Sequence, residues 1–162
     1  MISKVDIPNE SIVYEYISQI DYSDAYKMKL NDTSLSAEEM YIRIFSHVPS
    51  WIINLMKIRD KIVSLFGIKM SDDVGHKKVL IVGEKAGIFL IHHIKEEEII
   101  AGEDNMHLDF RVSVLKQDDD VTISTLVHYN NLLGKVYMSI ISPFHKMAVK
   151  AIMKNALTKK VI

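Results

Sequence analysis

Apolar and polar residues alternate through residues 79–131, and from Gly134 to Leu157 the apolar spacing changes to about 3.6 residues. A sheet with one oily face, followed directly by a helix with one oily stripe, hides both most readily by laying the helix across the sheet. The expected architecture is therefore α+β. Within the alternating block, Leu108, Phe110, Val112 and Val114 interleave with His107, Asp109, Arg111 and Ser113. After the acidic turn Gln117-Asp118-Asp119-Asp120, Val121, Ile123, Thr125, Val127 and Tyr129 form the next run, and the two read as an antiparallel hairpin. Shorter strands are expected over Ile88–Ile94 and Glu97–Ala101, and an earlier one over Asp21–Leu30.

Two helices are expected between the first strand and the alternating block. Ser36 with Glu39 makes a capping box, and Leu35 with Met40 a hydrophobic staple, opening a helix over Ala37–His47. Pro49 suits a helix start and Gly67 a stop, giving a second helix over Pro49–Phe66. Its apolar arc contains Trp51, Ile52, Leu55, Ile62, Val63 and Phe66. In the last helix, Tyr137, Ile140, Ile141, Phe144, Met147, Ala148, Ala151 and Ile152 share the predicted buried face, opposite Lys135, Lys146 and Lys150. Pro143 is expected to kink or split that helix.

Composition narrows the function classes. With 162 residues, 48% apolar and 25% charged, the chain is expected to form a single globular domain over residues 1–162, its core spanning about 20–157. Twenty basic against 21 acidic residues is a poor match for a dedicated nucleic-acid binder. The absence of cysteine excludes disulfides, thiolate zinc sites and thiol catalysis. Charge inside Met1-Ile2-Ser3-Lys4-Val5-Asp6 argues against a secretory signal, and no apolar run reaches membrane-spanning length. The chain reads as soluble and cytoplasmic.

A few polar residues stand out. Arg59 falls within the apolar arc of the second helix. It either snorkels to water or turns inward to a carboxylate, with Asp109 the preferred partner. His107, Asp109 and Arg111 share one strand face, where they can act as acid–base catalyst, orienting group and anion clamp, or form an ordinary solvated face. His145 lies at the edge of the last helix's apolar arc, more often a place for a hydrogen-bonded boundary residue than for a catalyst. The His92-His93 pair cannot share a metal ion without a bulge, and no HExxH spacing occurs, so no metal is expected. There is no GxGxxG, P-loop or GxSxG, and no cofactor is expected. From Gly134 onward there are six lysines and no acid, leaving the first 133 residues at −7. Such a helix can lie on a membrane or meet an acidic partner, or present a plain solvated face.

Three segments carry a family resemblance: Trp51…Met56-Lys57-Ile58-Arg59-Asp60, Gly102-Glu103-Asp104-Asn105-Met106-His107-Leu108-Asp109-Phe110-Arg111-Val112-Ser113-Val114, and Leu133-Gly134-Lys135-Val136-Tyr137…Pro143-Phe144-His145. Over roughly residues 20 to 157 the chain resembles a bacterial domain-of-unknown-function family of the START-like (SRPBCC, helix-grip) superfamily. Related domains are also fused to short-chain-dehydrogenase-like NAD-binding domains. The resemblance implies a curved antiparallel sheet gripping a long C-terminal helix, with two shorter helices after the first strand. It further implies a cavity between sheet and helix for lipids, polyketides or hormones.

Three functions follow as expectations. The leading one is a binding module for a small hydrophobic or carboxylate-bearing ligand, addressed by Arg59, His107, Asp109, Arg111 and His145. Phe110, Tyr137 and Ile141, with Val112, Val127 and Met147, would wall the pocket. The second is a cyclase, dehydratase or hydrolase using His107 with Asp109, or His145. The third is a partner-binding protein, a homodimer formed through a sheet edge or the Trp51 face.

Overall fold

The computed structural model describes residues 1–64, 79–87 and 89–162, without the side chains of residues 59, 60 and 62–64. Strand β1 (Ser3–Val5) is followed by a 3-10 turn over Ile12–Tyr16 and by β2 (Tyr22–Lys29). Helices α1 (Ala37–Ser46) and α2 (Ser50–Ser64) come next, then β3 (Lys85–Ala86), β4 (Phe89–Ile94), β5 (Glu98–Asp104), β6 (Leu108–Gln117), β7 (Asp120–Tyr129) and α3 (Leu132–Thr158). The strands form one antiparallel sheet in the order β1-β2-β7-β6-β5-β4-β3. This is the expected α+β arrangement: a curved sheet, a long C-terminal helix and two shorter helices after the first substantial strand.

Local chemistry explains most boundaries. Ser36 Oγ accepts from the Glu39 amide (3.2 Å) and Glu39 reaches back to the Ser36 amide (3.0 Å), so the capping box of α1 is complete. The β6–β7 hairpin closes on Asp118-Asp119, with Gln117 opposite Asp120 and Asp118 at φ 51°. A left-handed position in a two-residue turn is one that Asp tolerates. The Asp120 carboxylate pairs with Lys27 at 2.9 Å.

Register divides the sheet into two faces. Tyr26 and Met28 of β2, Val121 and Ile123 of β7, Val112 and Val114 of β6, and Ile99 and Ala101 of β5 point to one side. There they pack with Met40, Tyr41 and Ile44 of α1, Met153 and Ala156 of α3, and Ile162. The opposite side is covered by the N-terminal segment: Val13 packs on Ile100 and Leu126. Buried Glu98 clamps that segment, accepting from Ser11 Oγ (2.5 Å), the Ile12 amide (3.0 Å) and Ser113 Oγ (2.5 Å).

Expectations about the helices are corrected at three points. Helix α3 is not split at Pro143 and continues as one helix of 27 residues, about 40 Å. Pro143 lies on the exposed side, so its ring and the Ser139 carbonyl that it leaves without an amide partner stand on the solvent side. The buried face of α3 is rotated from the expected one: Gly134, Met138, Met153 and Ala156 are buried, whereas Ile140, Phe144 and Met147 are exposed. In α2, Ile52 is buried and Trp51 is exposed. The remainder of the predicted α2 arc beyond Leu55, and the predicted strand start at residue 88, lie outside the described residues.

The N-terminus of α3 is fixed by close approach. Asn131 caps it, accepting from the Gly134 amide at 3.1 Å, while Asn131 Nδ2 donates to the Met106 carbonyl at 2.9 Å. A Cβ on Gly134 would overlap the His107 carbonyl oxygen, so only glycine lets the helix start against the β5–β6 hairpin.

Two stability measurements test this account. Ser36→Ala should cost about 1 kcal/mol in urea unfolding, the usual worth of an N-cap. Gly134→Ala stabilises an ordinary helix by about 1 kcal/mol. Here it should destabilise by about 1–3 kcal/mol, because the added methyl meets backbone that cannot yield.

Candidate functional site

Helix α3 is seated firmly at both ends and loosely in between. At its start Met138 packs with Leu108 and Val127, joined by half-buried Tyr22, Phe110, Tyr129 and Tyr137. At its end Met153 and Ala156 enter the main core. Between Met138 and Met153 no residue of the helix is fully buried, and Ile141, Ser142, His145 and Val149 are only partly so. The middle of the helix lies over Tyr22 and Tyr26 of β2, and an aromatic run continues the same side of the sheet. Phe110 on β6 meets Phe89 on β4 edge to face at 5.5 Å between ring centres, and Phe89 meets Phe45 of α1 in the same way at 5.7 Å. All three rings are partly exposed, which leaves unsatisfied apolar surface on the helix-covered side.

A polar group stands beside this surface. Asp24 lies on the same face of β2 as Tyr22 and Tyr26, opposite Thr125 of β7, and is only 4% exposed. One carboxylate oxygen accepts from the Tyr22 hydroxyl at 2.5 Å, and the other faces His145 Nε2 at 3.4 Å. Lys146 stands 5.8 Å over the Tyr22 ring and Lys150 5.2 Å over the Tyr26 ring. Burial alone would raise the Asp24 pKa. The hydrogen bonds from His145 and Tyr22, the charge of His145 and the nearby Lys146 outweigh it and hold the carboxyl below its ordinary value. Burial first, then the bond to Asp24 and its charge, push the Tyr22 phenol well up, so Tyr22 remains a donor. In the neutral imidazole of His145 a carboxylate facing Nε2 favours the proton there, which leaves Nδ1 as an acceptor. An imidazole oriented by a carboxylate can bind a ligand hydroxyl or move a proton.

The residues singled out from sequence divide between the two sides of the sheet. Phe110, Tyr137, Ile141 and His145 lie on the helix-covered side. Asp109 and Arg111 project from the other side, since Arg111 stands opposite Leu126 and Asp109 opposite His128. There Asp109 accepts from Asn130 Nδ2 at 2.9 Å. Arg111 Nη1 donates to Asp104 (2.6 Å) and to the Phe110 carbonyl (2.8 Å). His107 is buried beside the α3 cap, its Nδ1 3.2 Å from Asn131 Oδ1. The Arg59 side chain lies outside the described residues. The polar groups that are described therefore do not converge on one point. His92 and His93 do sit at a bulge, with Tyr16 against both rings and bonded to His93 Nδ1 at 2.7 Å. Among the described residues no three His, Cys, Asp or Glu side chains are grouped to hold a metal ion.

Sequence reading missed Asp24 and Tyr22. The signal was present: an aspartate in phase with Tyr22, Tyr26 and Met28 is an acid on the apolar side of a strand, which needs a partner. A separate cleft of about 370 Å³, lined by Ser34, Ser36, Glu39, Glu96, Glu97 and Lys116 among others, is polar and shares none of the residues of the aromatic face.

A family model described as "Protein of unknown function (DUF2867)" matches residues 16–152. No curated protein and no solved structure matches the chain.

The Asp24 arrangement has a pH signature. A depressed folded-state pKa contributes stability above the unfolded value, near 3.9, and that contribution is lost as pH falls through the folded value. Asp24→Asn should therefore cost about 1–3 kcal/mol at neutral pH. The gap from wild type should narrow as acidification passes below about pH 4, measured by urea unfolding across the pH series.

Proposed function

Given that the chain belongs to the DUF2867 family, we propose that it is a START-like, helix-grip binding module for a small, mostly apolar ligand. The ligand lies between the sheet and the middle of α3. One observation carries this reading: the helix is buried at Met138 and again at Met153 but only partly between them, where it faces Tyr22, Asp24 and Tyr26 of β2, and the half-buried rings of Phe45, Phe89 and Phe110 continue the same side of the sheet. Apolar surface left open beside a few fixed polar groups is the usual make-up of a small-molecule site. Phe110, Tyr137 and Ile141 form the apolar contact, and His145, held by Asp24, addresses the ligand's polar end. Of the polar residues named from sequence, His145 has the geometry for this part; Asp109 and Arg111 act on the far side of the sheet.

A second reading takes the same polar group as catalytic. His145 against a buried carboxylate is a general acid–base pair, suited to a dehydratase- or hydrolase-like step on a bound ligand. One variant separates the readings: His145→Gln weakens retention of an unchanged ligand under the binding reading, and under the catalytic one it abolishes turnover of a ligand that the wild-type protein converts.

Native mass spectrometry of the protein after incubation with cell extracts should show a small-molecule adduct. Ile141→Trp fills the interval under α3 and should remove the adduct while leaving the thermal midpoint unchanged or higher. Recovery of the bare polypeptide mass from every extract, or an adduct that survives Ile141→Trp, would sink the proposal.

A further inference from the structure

Resting on the proposal of a ligand between the sheet and the middle of α3, we infer that this ligand is an apolar acid with a single negative charge, and that Lys146 and Lys150 hold its carboxylate on the β2 side of the helix. The sequence spacing places both lysines opposite the buried face of α3. Because that face is rotated, they come instead to its flank and turn toward the sheet. Lys146 Nζ stands 5.8 Å from the centre of the Tyr22 ring, and Lys150 Nζ 5.2 Å from that of Tyr26. Tyr26 is almost fully buried, whereas Lys146 is half-buried and Lys150 exposed, so the two ammonium groups form a rim and not a buried pair. Among the described residues β1 pairs only with Ala25, Tyr26 and Lys27, so the Tyr22–Asp24 stretch beside the rim has no strand on its outer side.

The balance of charge selects the head group. Like charges one helical turn apart repel, so Lys146 and Lys150 on one flank cost the helix stability unless an anion offsets them. Stems that only snorkel would carry their ammonium groups past the rings into water. Here both groups stay over the rings. Among the described residues neither is within ion-pair distance of a carboxylate. Asp24 is close enough to feel Lys146, but its oxygens face Tyr22 and His145 and its side chain is 1% exposed. Its one negative charge offsets one of the two lysines and leaves the other. A ligand carboxylate completes the balance, whereas an alcohol leaves it open and a phosphate dianion exceeds it. The tail of such an acid runs along half-buried Ile141, Tyr137 and Phe110, the apolar contact already assigned to the ligand.

The test is isothermal titration calorimetry of the 162-residue chain at about pH 8, where a carboxylic acid is ionised. Two matched pairs serve as probes: decanoic acid with decanol, and phenylhexanoic acid with phenylhexanol. In at least one pair the acid should bind about tenfold more tightly than the alcohol, and high salt should narrow that gap by screening the lysines. Lys146→Gln with Lys150→Gln should bring the acid down to the affinity of the alcohol. It should leave the alcohol unchanged, which also reports that the variant is folded. Lys135→Gln with Lys154→Gln removes the same charge elsewhere on α3 and should keep the gap. Equal affinity of acid and alcohol, a gap that survives loss of the Lys146 and Lys150 charges, or one that the Lys135 and Lys154 variant loses as well, overturns the acid head and leaves the binding module standing. Binding of none of the four compounds overturns it too, while the adduct from cell extracts remains the measure of the broader reading.

Discussion

The seating of α3 governs the molecule. At one end the helix backbone approaches the β5–β6 hairpin at Gly134, close enough that a methyl group cannot fit, and Asn131 locks the junction. At the other end Met153 and Ala156 are built into the main core with α1 and Ile162. Two fixed ends about 30 Å apart leave a stiff rod no freedom to follow the curved sheet beneath its middle. The half-buried interval around Ile141 and His145 is a direct result, and so is the outward direction of Ile140, Phe144 and Met147.

The two faces of the sheet have different work. The side away from α3 is sealed by the N-terminal segment, where Glu98 gathers Ser11, Ser113 and the Ile12 amide into one buried cluster. Its charged strand residues bond locally, Arg111 to Asp104 and Asp109 to Asn130, while the buried Arg111 Nε has no partner among the described residues. On the helix side the polar chemistry is concentrated at Asp24, whose two oxygens face Tyr22 and His145. Burying a carboxylate is costly unless its partners are fixed, and β2 and α3 each supply one.

Much of the scaffold was legible because it follows from local rules. The Ser36–Glu39 box opened α1 where expected, the alternating runs became β6 and β7, and the acidic cluster became their turn. The candidate site was less legible. Strand parity grouped Asp109 and Arg111 on one face, but His107 lies in the bend before β6, beside the α3 cap, and parity alone does not say which face the helix will cover. Asp24 escaped notice because its partner, His145, is 121 residues away in the chain.

The sequence by itself determined the order of elements, the strand parity and the all-positive charge of the last helix, since each depends on neighbours a few residues apart. The tertiary structure decided which arc of α3 is buried. Two apolar arcs lie side by side on that helix, and the choice between them was made by the close contact at Gly134 and the anchoring of Met153. Both depend on parts of the chain brought together only by the finished sheet, and no local periodicity encodes that meeting.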